Sequence, residues 1–108
     1  MRSWGVPFMM KIPGQSEEVH AAVLVFGNTL RVAILRHLAL GPATRASISS
    51  TLGVTEQSLS RQIAFLEDKG LVSTDVLGGR GRPTLHRLHP DRLDRLQHHL
   101  TTYLHPSS

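Results

Sequence analysis

The 108-residue chain contains no cysteine and few aromatics, with one tryptophan, one tyrosine and three phenylalanines. Without cysteine, a disulfide scaffold, a thiolate zinc site and thiol redox chemistry are all excluded. Long apolar runs are missing too. The longest nearly apolar stretch, about residues 19–26, is too short to span a bilayer. The N-terminal MRSWGVPFMMKIPGQ carries prolines at positions 7 and 13 and no apolar segment of the kind a signal peptide needs, so a cytoplasmic location is expected. No phosphate loop of the form G-x-x-x-x-G-K-[ST] occurs and no pair of carboxylates converges, so the chain does not read as an enzyme.

Acid is also missing from two long stretches, and this absence points somewhere. Residues 19–55 hold Arg31, Arg36 and Arg45 without one Asp or Glu, and residues 76–90 hold Arg80, Arg82 and Arg87, again without acid. The formal net charge is +4, and ten of the twelve basic residues are arginine. Guanidinium suits phosphate and base edges, so nucleic acid is the expected partner and an anionic membrane is not.

The order of elements follows from punctuation and period. Residues 1–15 read as an arm, with Trp4 and Phe8 able to dock on a partner or a second copy, and residues 16–108 as one domain. Ser16 followed by Glu17 and Glu18 opens a helix, EEVHAAVLVF, that is apolar on more than one side and therefore needs cover on several faces. Gly27 ends it, and Asn28 caps TLRVAILRHLAL, whose Leu30, Ile34, Leu35 and Leu38 share a stripe. A short helix follows over about residues 44–52. After Gly53, Thr55 caps a longer helix reaching Lys69, which Gly70 closes. The period then changes: LVSTDVL and TLHRLH read as two strands joined through GGRGRP, and Pro90 opens a last helix.

The third and fourth helices carry the chemistry. On the helix over residues 55–69, Leu59, Ile63 and Leu66 share a buried face, while Gln57 and Arg61 lie opposite, four residues apart. Gln pairs with adenine and Arg with guanine through two hydrogen bonds each in the major groove. Ser58 and Ser60 flank them, Thr55 opens the helix, and Thr44 with Arg45 opens the preceding helix, where backbone N–H groups and charge hold phosphate. The small residues Ser49 and Gly53 are expected to let the two helices approach closely. Glu56 and Asp68 would repel phosphate if they faced it.

FGNTLRVAILRHLALG, then ISSTLGVTEQSLSRQIAFLEDKGLV, then GRGRPTLHRL resemble the ArsR-type winged-helix transcription regulators, with the MarR type a near neighbour, over about residues 19–104. The resemblance implies a mainly α fold with one β-hairpin, a winged helix–turn–helix that works as a two-fold dimer and represses by blocking polymerase. Helix 55–69 would enter the major groove. The hairpin tip at residues 78–83 would bring Arg80 and Arg82 to a minor groove, where narrow A·T-rich tracts favour inserted arginine. RGRP is also similar to the core of the AT-hook, although Gly79 stands where that motif has a leading proline.

The first helix, through Val19, Val23 and Phe26, and a seam of Leu93, Leu96, Leu100, Tyr103 and Leu104 on the last would form the dimer interface. Many ArsR-type proteins sense metals, either through cysteine or through a D-x-H arrangement in the last helix. This last helix offers Asp94, His98, His99 and His105 without that pattern, so no metal or cofactor is expected, and a protein or small-molecule effector is left open. Two other functions fit the same residues: an architectural or partition-type DNA-binding protein of low sequence specificity, and a winged helix used as a protein-interaction module. A missing consensus site would favour the first, and an exposed apolar patch on the groove face the second.

Overall fold

The structure, a computed structural model, describes residues 14–76 and 84–106. Five helices and one hairpin follow in the order α1 (Glu17–Phe26), α2 (Thr29–Ala39), α3 (Arg45–Leu52), α4 (Glu56–Asp68), β1 (Val72–Val76), β2 (Thr84–Leu88) and α5 (Pro90–Leu104). The architecture is a winged helix–turn–helix.

Local chemistry starts each helix. The side chains of Ser16, Asn28, Thr44 and Thr55 accept the N–H of Val19, Arg31, Ser47 and Ser58 at 3.1, 3.0, 3.1 and 3.0 Å. Each satisfies a donor that the first helical turn leaves free. Pro90 occupies the first turn of α5, where its missing N–H costs nothing. Lys69 is the C-cap of α4 and not its last helical residue, as the sequence reading had it. Gly70, at φ +78°, then turns the chain so that the Leu71 N–H reaches the Leu66 carbonyl at 2.9 Å.

The two strands pair antiparallel with Val72 opposite Leu88, Thr74 opposite His86 and Val76 opposite Thr84. Ala43, just before α3, adds a short bridge on the far side of β2: its N–H and carbonyl exchange hydrogen bonds with His86 at 3.1 and 2.8 Å. The strand stops at Leu88, so His89 is the N-cap residue of α5 rather than part of the sheet.

A single core lies among the helices and against one face of the hairpin. Ala22 and Val25 of α1, Ile34 and Leu38 of α2, Ile48 of α3, Leu59 and Leu66 of α4, Leu71 and Leu96 are all buried in it. Helix α1 lies along α5. Among the described residues no single helix is long and apolar enough to cross a membrane.

Candidate nucleic-acid interface

The turn between α3 and α4 is built by three residues. Gly53 takes φ +69°, a left-handed conformation that ends α3, and the Ser49 carbonyl accepts the N–H of both Gly53 and Val54 at 2.9 and 3.2 Å. The Ser49 hydroxyl donates to the Val54 carbonyl, closing the same turn from its side chain. A Cβ built on Gly53 would meet nothing within 4 Å. The expectation that Gly53 allows close helix approach is therefore corrected: the position needs glycine for its backbone angle.

Helix α4 presents two faces. Leu59, Ile63 and Leu66 are buried against the core, as their spacing predicts. Gln57 and Arg61 are exposed on the other side with Thr55 at the helix start, and Ser58 and Ser60 are half-buried beside them. Among the described residues the side chains of Gln57 and Arg61 have no hydrogen bond or ion pair, so their donors and acceptors are open to a ligand. Two acids of the helix are placed apart from them, while the third, Glu56, is exposed in the first turn next to Gln57. Asp68 lies at the far end beside Lys69, 3.7 Å away, and Glu67 accepts the Thr74 hydroxyl.

At the start of α3 the Thr44 hydroxyl caps the helix, and its own proton remains available to a phosphate oxygen. Arg45 is only half-exposed. Its Nε is buried, and among the described residues it has no partner. It lies close to His86, which is 1% exposed. His86 Nδ1 is 2.9 Å from the Thr74 hydroxyl oxygen, and that hydroxyl donates its one proton to Glu67. The imidazole therefore carries its proton on Nδ1, and Nε2 is a buried acceptor that no described residue satisfies. Burial first, and the nearby Arg45 charge second, push the His86 pKa below its ordinary value, against a smaller upward pull from Glu67.

Two further arginines escaped the sequence reading. The Arg31 guanidinium lies 3.7 Å over the ring of Phe65, donates Nε to Gln62 Oε1 at 2.8 Å and donates Nη1 to the Leu24 carbonyl at 2.7 Å. Arg92 grips Glu18 through Nη1 and Nη2 at 2.6 and 2.9 Å and donates Nε to the Lys69 carbonyl at 3.0 Å. The Arg92 hydrogen bonds hold the Glu18 carboxyl below its ordinary range, and the same contact raises Arg92. The acid-free stretch was the available signal for Arg31. Arg31 uses neutral acceptors and an aromatic face in place of a carboxylate.

The remaining site residues divide. Arg80, Arg82 and the hairpin tip at 78–83 lie outside the described residues, as do Trp4, Phe8 and the rest of residues 1–13. Of the apolar residues assigned to a dimer, Val23 is 45% and Leu104 62% exposed, while Phe26, Leu93, Leu100 and Tyr103 are partly buried. Val19 at 4% and Leu96 at 0% are buried within the chain itself. These two leave the interface assignment, because their surface is already covered. Leu24, 37% exposed and next to Val23, was overlooked. His98 and His99 stand with ring centroids 6.5 Å apart, and His99 Nε2 is 3.7 Å from Glu18. No group of three or more His, Cys, Asp or Glu side chains suited to a metal occurs among the described residues.

Comparison with known proteins agrees with this geometry. Residues 28–74 match the bacterial regulatory protein arsR family, a span that holds α2, α3, α4 and the start of β1. A search of the curated proteins finds no match. Among solved structures, an ArsR-like transcriptional regulator from Rhodococcus sp. RHA1 superposes with TM-score 0.64 at 21% identity, over 78% of this chain and 76% of that one. A transcriptional regulator of the MarR family from Enterococcus faecalis V583 gives 0.65 at 16% identity, over 89% of each chain. A homodimeric winged helix–turn–helix DNA-binding domain from Mycobacterium bovis gives 0.61 at 21%, over 89% and 96%. At these identities the structural likeness is one of fold, and the sequence match covers the helix–turn–helix. Together they show a winged helix–turn–helix fold whose residues 28–74 are similar to the arsR family of bacterial regulatory proteins.

Proposed function

We propose that the chain is a sequence-specific double-stranded DNA-binding regulator that acts as a homodimer and represses by occluding its operator. The observation that carries this reading is the outer face of α4, where Gln57 and Arg61 stand exposed, unpaired among the described residues and one helical turn apart on a helix whose opposite face is locked in the core. Side chains held on a rigid, buried helix can reach base edges in a major groove with fixed register. Thr44, Arg45, Thr55, Ser58 and Ser60 would hold the flanking phosphates, and Arg80 with Arg82 the adjacent minor groove. The exposed Val23, Leu24 and Leu104 on α1 and α5, together with the homodimeric state of the Mycobacterium bovis domain, support pairing through those helices.

Selection of bound duplexes from a random DNA library at near-physiological salt tests the reading. An inverted repeat with half-sites about 34 Å apart and A·T-rich flanks is the expected product. Binding without a consensus would replace it with an architectural role, and no binding would replace it with a protein partner.

A further inference from the structure

Helix α1, which carries the exposed Val23 and Leu24, is tied to helix α4 at both of its ends. At its C-terminal turn the Leu24 carbonyl accepts from Arg31, whose Nε reaches Gln62 in the middle of α4 and whose plane covers Phe65, one turn further on. At its N-terminal turn Glu18 accepts both terminal nitrogens of Arg92, whose Nε holds the Lys69 carbonyl at the end of α4. A guanidinium offers donors in fixed directions within one plane, so each arginine fixes orientation as well as distance between the elements it joins. The burial of Leu59, Ile63 and Leu66 holds α4 on the core but is non-directional.

We propose that Arg31 and Arg92 are positioning residues for operator recognition: they set the place of α4 relative to the dimer helix α1, and so the half-site spacing that the dimer accepts. This rests on the dimeric, sequence-reading function proposed above. Neither arginine needs to touch DNA. Gln62 directly follows Arg61, so the Arg31 link fixes the part of α4 that would read bases. With the links intact, two α4 helices stand at one separation, and a spacer longer or shorter by one base pair places one of them out of register. With a link loosened, α4 tilts on its apolar face and tolerates the wrong spacer.

The test uses the full chain and a set of inverted repeats with the selected spacer, with spacers one and two base pairs longer or shorter, and an isolated half-site. Arg31→Lys keeps the charge but cannot reach both Leu24 and Gln62 while lying flat on Phe65. Glu18→Gln leaves Arg31 untouched and loosens the other link, so it carries the test if Arg31→Lys fails to fold. The wild type should disfavour a spacer changed by one base pair by about tenfold, as it would one mismatched pair. Both variants should bind the half-site like the wild type and lose most of that discrimination. A variant that weakens on the half-site and on every spacer alike would overturn the proposal, because its arginine link would then only stabilise the fold. So would a wild type that reads a consensus half-site at every spacer equally. Failure to select any consensus would bring down the sequence-reading function itself, and this proposal with it.

Discussion

Arg61 tests base recognition at the level of one side chain, because it is exposed, lacks a partner among the described residues and sits on the face of α4 opposite the buried Leu59, Ile63 and Leu66. Arg61→Ala should cost about 1–3 kcal/mol on the selected site and little on random DNA, with selectivity lost at one base pair. Competition binding against single-position operator variants measures it, and an equal loss on both DNAs would make Arg61 a phosphate contact. His86 sets a different expectation. Its folded pKa lies below the ordinary 6.5, so the unfolded chain takes up a proton that the folded chain refuses. Its contribution to stability is therefore complete above about pH 6.5 and falls as pH drops below that, by at most about 1.4 kcal/mol per pH unit for one proton. Urea unfolding between pH 7.5 and 5 should show a steeper acid loss in the wild type than in His86→Asn, whose amide can still donate to Thr74 but does not titrate. Parallel slopes would mean that the buried ring does not govern the acid limb. The alternation of β2 puts His86 on the same inward face as buried Leu88, with exposed Arg87 between them, and Ala43 pairs with the strand's outer edge.

At the scale of elements, what was legible in the sequence was what neighbouring residues decide. Ser16, Asn28, Thr44 and Thr55 each act on an N–H three residues on, so their caps follow from local composition. The stripe Leu59, Ile63 and Leu66 follows from the helical period, and with it the outward face of Gln57 and Arg61. The links that orient the helices were not legible, because their partners are distant in sequence. Arg31 and Gln62 are 31 residues apart and Arg92 and Glu18 are 74, and no periodicity joins them. Gly53 is an intermediate case, found as a breaker but for the wrong reason. Its φ of +69° in open space makes the cost of a side chain conformational only. Gly53→Ala should lower the unfolding free energy by about 1–2 kcal/mol, the penalty of a left-handed L-residue. Gly53→Asn should cost less, because asparagine visits that region more readily. Chemical denaturation measures both, and an asparagine as costly as alanine would show that the turn is limited by space after all.

For the whole molecule, the proposed homodimer has two exposed apolar surfaces through which it could pair. Val23 and Leu24 on α1 and Leu104 on α5 are exposed on two helices that lie along each other, while Val32 and Leu40, 42% and 81% exposed, belong to α2 and the residue that ends it. A dimer on the first surface joins α1 to α1 or α5, the helices that the arginine links connect to α4. A dimer on the second would bypass those links. Val23→Glu places a charge in the first surface and should leave the fold intact, because position 23 is 45% exposed and outside the core. If the proposed dimer pairs there, sedimentation should find a dimer for the wild type and a monomer for the variant at the same concentration. Its effect on DNA follows from counting phosphates. The salt dependence of binding scales with the number neutralised, so a protein reduced to one half-site should show about half the wild-type slope of log K against log salt. A variant that stays dimeric with an unchanged slope would move the interface to Val32 and Leu40. It would also remove the physical route by which Arg31 and Arg92 could set operator spacing.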